Sequence, residues 1–353
     1  MGPFLLMQVC VMLTNNGLIN NAISVGNRIG FLSPDQKTCL AAPLFHCMGN
    51  VLGSMMHAVY AMELVFPSPV YSPTACLQQI TAQHCTHLIG TPTMWVDIIH
   101  KAKRESIKLE SLKGGLMSGA ACPPELLKQA KNDFGMSVSV VYGHTESSPV
   151  VCGMFTDDSD DKILNTVGFP LNHQEVKIVD SENKTVPIGT PGQIVCRGYN
   201  TMKGYYNDPE KTAKSIQDGW YFSGDRGYMT ESGHVAVIGR EDDMFIRGGE
   251  NIQPKEIENF VQKYEYVLDA QVVGVPDKRL GSEVAIFVKV SEENYHLKDS
   301  LVKDYKTKCA DDMAVYKIPK YWKIVTKYPT TQSGKVQKFK LIQMAREVFD
   351  LDE

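Results

Sequence analysis

Apolar runs alternate with amphipathic stretches over residues 18–165, and this alternation constrains the fold more than any other feature of the sequence. Residues 86–90 form a short apolar run, and an amphipathic stretch follows at 94–102. The same order returns in residues 114–120 and 124–134. Repeated short strands and helices in this order predict an α/β fold with parallel strands.

The character of the chain changes twice. We assign 1–165 to the α/β part of a larger domain, which we expect to be incomplete. Residues 166–239 consist of short β-rich runs separated by Pro and Gly, which predict a small β-barrel subdomain. Residues 244–353 are typical of a compact α+β domain, so the boundary is predicted at 240–243.

Within that C-terminal region, four elements follow from the pattern. A helix is predicted from Pro254 to Tyr264, and strands from Ala270 to Val275 and from Glu283 to Val290. A lysine-rich helix is expected to end near Ala310.

Composition narrows the class of protein. The 353 residues carry a net charge of -4, which gives no reason to expect nucleic-acid or membrane attraction. No stretch reaches transmembrane length, and residues 1–13 lack the basic residues of a targeting peptide; we interpret them as a buried strand interrupted by Pro3. The nine cysteines lack a paired Cys-x-x-Cys spacing, which favours an intracellular, reducing compartment over a zinc knuckle or a disulfide framework.

Two segments in the C-terminal third are the most informative. Residues 239–254 contain Gly-Gly, and residues 329–336 contain Ser-Gly-Lys; each alone is an ordinary turn with a solvated cation. Together, and with three motifs upstream, they resemble the hinge and the catalytic-lysine loop of the adenylate-forming (ANL) superfamily. That superfamily includes acyl-CoA synthetases, luciferases and peptide-synthetase adenylation domains. The resemblance implies an ANL-type large domain followed by a smaller C-terminal α+β domain.

The resemblance implies roles for residues 142–149. Tyr142 would stack on adenine, and Thr145 would hydrogen-bond a phosphate or acyl-adenylate oxygen. Glu146 would supply a carboxylate oxygen to Mg²⁺, which usually takes one or two carboxylates together with phosphate and water. The residue between Gly143 and Thr145 varies in the family, so His144 does not disturb the match. The alternative is an unrelated turn with an exposed glutamate.

Two further motifs would hold the nucleoside. Gly119, Ala120 and Ala121 are small enough to let the backbone approach a planar base, although a tight strand-to-helix turn explains them equally well. Asp225 would accept hydrogen bonds from both ribose hydroxyls, and Arg240 would bind ribose or phosphate. Without the other motifs, Asp225 would more often be a turn former after glycine.

By the same resemblance, other residues would contact the carboxylic acid substrate and the α-phosphate of ATP. His46 resembles the gate of the acyl pocket, although a histidine beside apolar residues is as often a core residue. Residues 91–95 would line the same pocket, and Trp95 is equally explained as core. Lys335 would contact the attacking carboxylate and the α-phosphate and stabilise the charge that develops there.

The resemblance also implies a change of conformation. Asp242 would be the hinge about which the small domain turns, removing Lys335 and bringing Gly248 and Gly249 towards a tunnel for the CoA thiol. ATP, Mg²⁺ and CoA are therefore the expected substrates and cofactors.

Within the superfamily, residues 245–252 and 334–341 are most similar to the medium-chain fatty acyl-CoA synthetases of the mitochondrial ACSF type. The similarity runs from about Leu13 to the C-terminus. It implies a fatty acid, ATP and CoA as partners and the mitochondrial matrix as location. Acyl-chain length and oligomeric state are not readable from the sequence.

The chain departs from that family in one respect: a Ser/Thr/Gly-rich phosphate loop and the segment before it are not found, and residues 13–22 resemble the helix that follows the loop. We therefore expect a truncated chain with weak adenylation. Its alternative function is that of a catalytically impaired pseudo-enzyme that binds nucleotide or acyl-CoA. Transfer to a carrier protein is disfavoured because no carrier segment follows Lys335, and luciferase-like oxidation stays open.

Overall fold

The computed structural model describes residues 10–30, 33–120, 122–331 and 334–351. The strands of these residues, in chain order, are β1 (Val11–Met12), β2 (Lys37–Leu40), β3 (Glu63–Val65), β4 (His87–Gly90), β5 (Gly114–Met117), β6 (Ser137–Gly143), β7 (Val150–Gly153), β8 (Phe169–Pro170), β9 (Gln174–Val179), β10 (Gly192–Gly198), β11 (Gly204–Tyr205), β12 (Ile216–Gln217), β13 (Trp220–Met229), β14 (Val235–Arg240), β15 (Phe245–Arg247), β16 (Glu250–Ile252), β17 (Asp269–Asp277), β18 (Gly281–Lys289) and β19 (Tyr321–Val325). The α-helices are α1 (Asn15–Ile29), α2 (Met56–Tyr60), α3 (Pro73–Gln83), α4 (Pro92–Arg104), α5 (Pro124–Phe134), α6 (Asp160–Asn165), α7 (Pro209–Ser215), α8 (Pro254–Val261), α9 (Lys298–Asp312) and α10 (Lys338–Phe349). A π-helical segment, Met48–Met55, leads directly into α2.

The largest sheet has seven strands in the order β3-β2-β4-β5-β6-β7-β8. The pairs from β3 to β6 are parallel, and β7 and β8 are added antiparallel. Both faces are covered: Leu88 packs in one core cluster and its neighbour Ile89 in another, as successive side chains of a strand point to opposite faces. Every residue of β4 and β5 is buried, as is usual for parallel strands between helices. The predicted parallel α/β fold is confirmed.

Helix α4 begins where the chain leaves β4 at its carboxyl end. Thr91 caps it, because its Oγ1 accepts a hydrogen bond from Met94 N (3.4 Å), and Pro92 occupies the first turn. Trp95 is fully buried, and its Nε1 donates to Leu116 O (3.3 Å). The structure therefore favours the core interpretation of Trp95.

The β-rich region contains a five-stranded antiparallel sheet in the order β12-β13-β10-β9, with β14 also paired to β13. The predicted β-rich character is confirmed. Beyond β14 the backbone hydrogen bonding continues, since Val167 N donates to Val235 O (2.8 Å) and Val235 N donates to Gly168 O (2.9 Å). Of the expected N-terminal strand, residues 1–9 lie outside the described residues, and β1 pairs antiparallel with β11.

The C-terminal region is built on the sheet β17-β18-β19, in which β17 and β18 are antiparallel and β18 and β19 are parallel. Both predicted strands and the lysine-rich helix are present as β17, β18 and α9. Helix α8 ends at Val261, three residues before the predicted end, because the chain tightens into a turn in which Tyr264 N donates to Val261 O (3.0 Å). The boundary at 240–243 stays a prediction.

Among the described residues, each helix is either too short or too polar to cross a bilayer.

Candidate active site

Asp225 and Arg240 face each other in the antiparallel pair β13 and β14, where they are register partners. Nε of Arg240 lies 3.3 Å from Oδ1 of Asp225. The Asp225 side chain is 7% exposed, whereas that of Arg240 is 56% exposed. The two residues proposed for the ribose are therefore brought together by strand pairing, with the cation at the open side.

Two side chains at the C-terminal end of β6 hold the other oxygen of this carboxylate. Tyr142 Oη donates to Asp225 Oδ2 (2.8 Å), and His144 Nε2 lies 2.8 Å from the same oxygen. The adenine-stacking role of Tyr142 stays a prediction, and the structure adds a contact with Asp225. Sequence reasoning missed His144, because its family position varies and no local signal marks it as a partner of a residue 81 positions away.

The pKa values of Asp225 and Tyr142 both depart from those of the free side chains. Burial would raise the pKa of Asp225, but the hydrogen bonds from His144 and Tyr142 and the charge of Arg240 outweigh it and leave that pKa lowered. Burial, reinforced by the Asp225 carboxylate, raises the pKa of Tyr142 well above its ordinary value. The carboxylate thus stays ionised while the phenol keeps its proton to donate.

Glu146 lies in a single 3₁₀ turn, Thr145–Ser147. Its Oε1 accepts a hydrogen bond from Tyr205 Oη (2.9 Å), and its backbone oxygen accepts one from Met202 N (2.8 Å). These contacts fix both ends of the residue. Sequence reasoning missed Tyr205 because it is 59 residues away and belongs to a two-residue strand.

The Thr145 hydroxyl lies near the Cys47 thiol, in the segment that carries His46. Burial raises the pKa of Cys47, and the Thr145 hydroxyl opposes that effect. The His46 ring accepts a hydrogen bond at Nδ1 from Met48 N (3.2 Å). Burial lowers the pKa of His46, and the charge of Lys335 lowers it further, so a neutral imidazole is favoured. The gating role of His46 stays a prediction.

Lys335 follows a tight loop. Thr331 N donates to Lys335 O (2.8 Å), and Lys335 N donates to Thr331 Oγ1 (3.1 Å). Gly334, which has a φ of +82°, lies against α4: a methyl group placed on it would be 3.1 Å from Thr91 Oγ1 and 3.4 Å from Met94 Cε. Gln332 and Ser333 of the predicted motif lie outside the described residues.

The Lys335 side chain shares a cleft with the other charged residues. The residue is exposed, but nearby protein atoms partly desolvate its amine. This desolvation lowers its pKa, and Arg240 lowers it further, whereas Glu146 and Asp225 act in the opposite direction. Lys335, Arg240, Glu146 and Asp225, far apart in sequence, therefore lie within electrostatic range of one another.

The small-residue motif lies at the edge of the same cleft. Gly119 has a φ of +86°, and a methyl group on it would lie 2.9 Å from Met48 Cε and 3.5 Å from Thr91 Cγ2. Only glycine adopts this backbone easily, and it leaves room beside Met48. Ala120 is exposed. Ala121 lies outside the described residues.

The predicted hinge residue is exposed between two anchored neighbours. On one side Glu241 N donates to Gly224 O (2.9 Å), which ties it to the β-rich sheet. On the other side the Asp243 carboxylate lies 3.2 Å from Lys338 Nζ, at the start of α10. Asp242 is exposed between these attachments. Its role as hinge stays a prediction.

Gly248 and Gly249 form the exposed turn between β15 and β16, with φ of +59° and +92°. Gly248 N donates to Leu280 O (2.9 Å), and Arg247 binds the Glu283 carboxylate. Among the described residues, no hydrogen bond or ion pair joins this turn to the cluster around Asp225 and Lys335. The structure therefore does not bring the predicted CoA contacts into the cleft.

Of the two carboxylates in this cleft, Asp225 is already bound by Arg240, Tyr142 and His144, which leaves Glu146 as the candidate metal ligand. The described residues contain no group of three or more His, Cys, Asp or Glu side chains that could hold a metal. Glu146 can still contribute one oxygen to Mg²⁺ if phosphate oxygens and water supply the remaining ligands, which is the usual arrangement for this ion.

The family model described as "AMP-binding enzyme" matches residues 10–206, more than half of the chain, and that of the "AMP-binding enzyme C-terminal domain" matches residues 256–335. The chain belongs to the AMP-binding enzyme family. The resemblance inferred from the motifs is thereby confirmed.

Family members with curated names are similar over nearly the whole chain. The Bacillus subtilis protein YngI, whose name assigns it provisionally to the acyl-CoA synthetases, is 40% identical over 97% of the chain. The human mitochondrial medium-chain acyl-CoA ligase ACSF2 is 38% identical over 93% of the chain. The chain spans 62% of the Bacillus protein and 54% of the human protein.

Solved structures of AMP-binding enzymes share the fold. The anthranilate CoA ligase AuaEII in complex with anthranoyl-AMP has a TM-score of 0.86 at 25% identity, covering 95% of this chain and 64% of that one. ATP-bound MatB from Rhodopseudomonas palustris has a TM-score of 0.83 at 25% identity, covering 96% and 66%. The fold prediction is confirmed.

Proposed function

We propose that this AMP-binding enzyme activates a medium-chain fatty acid with ATP to an acyl-adenylate and transfers the acyl group to CoA, giving acyl-CoA, AMP and pyrophosphate. One observation carries the proposal. Lys335 lies within electrostatic range of Glu146, Asp225 and Arg240, although the four residues come from three different parts of the fold. A structural role does not require this combination of charges in an open cleft.

In the first step a carboxylate oxygen of the acid attacks the α-phosphorus of ATP, and the bond to the β-phosphate oxygen breaks to release pyrophosphate. Negative charge grows on the oxygens of the pentavalent phosphorus. Lys335 would stabilise that charge and orient the attacking carboxylate. Desolvation by nearby protein atoms lowers the pKa of Lys335, although the residue is exposed, and its protonated amine is the form that would stabilise this charge.

The nucleoside would lie against β13 and β6. Asp225 is ionised and held from two sides, so it can accept from ribose hydroxyls without reorganising. Arg240, exposed beside it, would reach ribose or phosphate. Tyr142 would offer its ring to adenine, while Gly119 and Ala120 leave space for the base.

Bound Mg²⁺ would supply charge neutralisation to the β- and γ-phosphates. Glu146 is the residue that would hold it, with Tyr205 fixing the carboxylate. Thr145, on the same turn, would hydrogen-bond a phosphate or adenylate oxygen.

In the second step the CoA sulfur attacks the acyl carbon, the bond to the AMP oxygen breaks, and the thiol proton is lost. Among the described residues, no hydrogen bond or ion pair joins Gly248 or Gly249 to the cleft, so this step would involve a turn of residues 244–353 against the preceding part of the chain. Asp242 would be the pivot, because Glu241 and Asp243 are tied to opposite sides.

Two observations support a fatty acid as substrate. Leu44 and Phe45, next to His46, are 48% and 73% exposed and together present adjacent apolar surface beside the cleft. Several relatives are named medium-chain acyl-CoA ligases. The same names call those relatives mitochondrial, which supports a mitochondrial location for this chain, and microscopy of a fluorescent fusion in cells with labelled mitochondria would test it.

The deciding experiment incubates the 353-residue protein with octanoate, ATP, Mg²⁺ and CoA and measures octanoyl-CoA by mass spectrometry. Lys335→Ala is expected to lower the rate by about a hundredfold or more. Lys340→Ala, which removes an exposed lysine on α10, is the matched control and is expected to resemble the unaltered protein. Equal rates for Lys335→Ala and the control would overturn the role of Lys335.

Binding of a non-hydrolysable octanoyl-sulfamoyl adenosine, measured by calorimetry, separates the alternatives. Tight binding without product would favour a nucleotide- and acyl-binding pseudo-enzyme. Absence of both binding and product would count against the proposed function.

A further inference from the structure

Helix α4 contacts the C-terminal region at two places. At its start, Thr91 and Met94 lie against Gly334, next to Lys335. One turn further, Asp97 Oδ1 accepts a hydrogen bond from Lys289 Nζ (2.9 Å), the last residue of β18. Residues three apart on a helix share a face, so both contacts lie on one side of α4.

The Lys289 contact is not an ordinary surface ion pair. Lys289 is 9% exposed as a residue, and the Asp97 side chain is 29% exposed. The two residues are 192 positions apart. A largely buried ammonium requires a partner, because leaving it uncompensated costs far more than breaking an exposed pair. In this arrangement Asp97 is the partner that compensates the buried ammonium of Lys289, so the pair favours docking of the C-terminal region against α4.

Lys289 and Lys335 belong to one rigid piece. Lys289 is the register partner of Val325 in the parallel pair β18 and β19. Just beyond β19, Tyr328 Oη donates to Phe287 O (3.1 Å), and the bridge between Thr330 and Val336 then closes the Lys335 loop. Whatever places Lys289 therefore also places Lys335.

We infer that Asp97 is a positioning residue: its ion pair with Lys289 holds the C-terminal region against α4 and so keeps Lys335 in the cleft beside Glu146 and Asp225. Asp97 touches no reacting group in this scheme and acts through Lys289. The effect on catalysis rests on the proposed function, whereas the effect on the placement of Lys335 does not.

Hydrogen exchange measured by mass spectrometry tests the placement without requiring activity. Asp97→Lys is expected to speed exchange severalfold in peptides covering 91–97 and 334–338, because two like charges would separate α4 from the Lys335 loop. Asp97→Lys combined with Lys289→Asp restores the pair and is expected to restore the slow exchange. Glu105→Gln, which breaks the pairs of Glu105 with Lys101 and Arg104 at the C-terminal end of α4, is the matched control.

Pyrophosphate release with octanoate and ATP tests the consequence. Asp97→Lys is expected to lower kcat about tenfold or more, with the KM for ATP nearly unchanged, and the double reversal to recover most of it. Asp97→Asn, which keeps the size of the side chain, replaces Asp97→Lys if the latter fails to fold.

The outcomes separate the two proposals. If the unaltered protein releases no pyrophosphate, the proposed function fails, and the exchange pattern still decides the role of Asp97. If exchange in 334–338 is the same in Asp97→Lys, Asp97→Asn and Glu105→Gln, the positioning role is wrong.

Discussion

Tyr205 Oη donates to Oε1 of Glu146 across 2.9 Å, and Tyr205 itself is 6% exposed. Burial, helped by the Glu146 charge, raises the pKa of this phenol to about 12, so it keeps its proton at neutral pH. The bond therefore orients the carboxylate that we propose for Mg²⁺.

Tyr205→Phe is expected to raise the Mg²⁺ concentration required for half-maximal activity by about ten- to a hundredfold, the usual effect of losing a residue that orients a metal ligand. The ring remains in the core, so stability should change little. Titration of octanoyl-CoA formation with Mg²⁺ measures this effect. Tyr206→Phe, at an exposed neighbouring position, is the control. An unchanged Mg²⁺ dependence would remove Tyr205 from the site.

Asp225→Asn is expected to weaken binding of octanoyl-sulfamoyl adenosine by about tenfold or more, because an amide offers one acceptor oxygen instead of two. Calorimetry measures the Kd. Glu231→Gln, an exposed carboxylate in the turn after β13, is the matched control. Tyr142→Phe keeps the carboxylate and removes only one of its donors, so a smaller loss is expected. Equal affinities for Asp225→Asn and Glu231→Gln would refute the ribose assignment.

The rate of acyl-adenylate formation is expected to fall as pH rises through the lowered pKa of Lys335. The protonated amine is the active form, and partial desolvation shifts its titration below that of an ordinary lysine. The alkaline decline should therefore begin earlier than for an exposed lysine. Lys335→Arg stays protonated throughout, so its residual rate should lack this decline. Pyrophosphate release over about pH 7 to 10 compares the two, and coincident profiles would contradict the prediction.

Burial lowers the pKa of His87 to about 4, with smaller effects from Lys113 and His57. The unfolded imidazole titrates near 6.5, so between about 4 and 6.5 the unfolded chain binds more protons and stability rises with pH. Acidification over this window should cost about 1.4 kcal/mol per pH unit from this residue.

His87→Gln is thus expected to lose about 2 kcal/mol less free energy of unfolding between pH 7 and pH 5 than the unaltered protein. Urea unfolding at both values gives the difference. His173→Gln, at an exposed position, is the control and should follow the unaltered protein.

Gly143→Ala is expected to destabilise the fold by about 1–3 kcal/mol, since its methyl group would lie in contact with a backbone oxygen. That group would be 2.0 Å from Pro149 O, on the chain that enters β7. Gly153→Ala, on β7 itself, should be tolerated, because the added methyl group would lie 3.4 Å from its nearest neighbours. Thermal unfolding of both variants measures the effect, and equal Tm values would show that the 143–149 turn can shift.

The sequence by itself determined the class of fold and the residue types of the site. Apolar runs that alternate with amphipathic stretches specify short strands and helices, because side-chain direction follows the local backbone. Thr91 and Pro92 likewise specify the start of α4 through short-range hydrogen bonding and sterics. The motifs that contain Glu146, Asp225 and Lys335 were recognisable because each motif is a short run of consecutive residues.

The tertiary structure decided which side chains meet. His144 and Tyr142 converge on one oxygen of Asp225, Tyr205 binds Glu146, and Asp97 pairs with Lys289 across 192 residues. No pattern along the chain encodes these contacts, because they depend on strand register and on packing between distant elements. The environment of Lys335 is a property of the same packing, since its lowered pKa arises from partial desolvation and from charges that only the folded chain brings near.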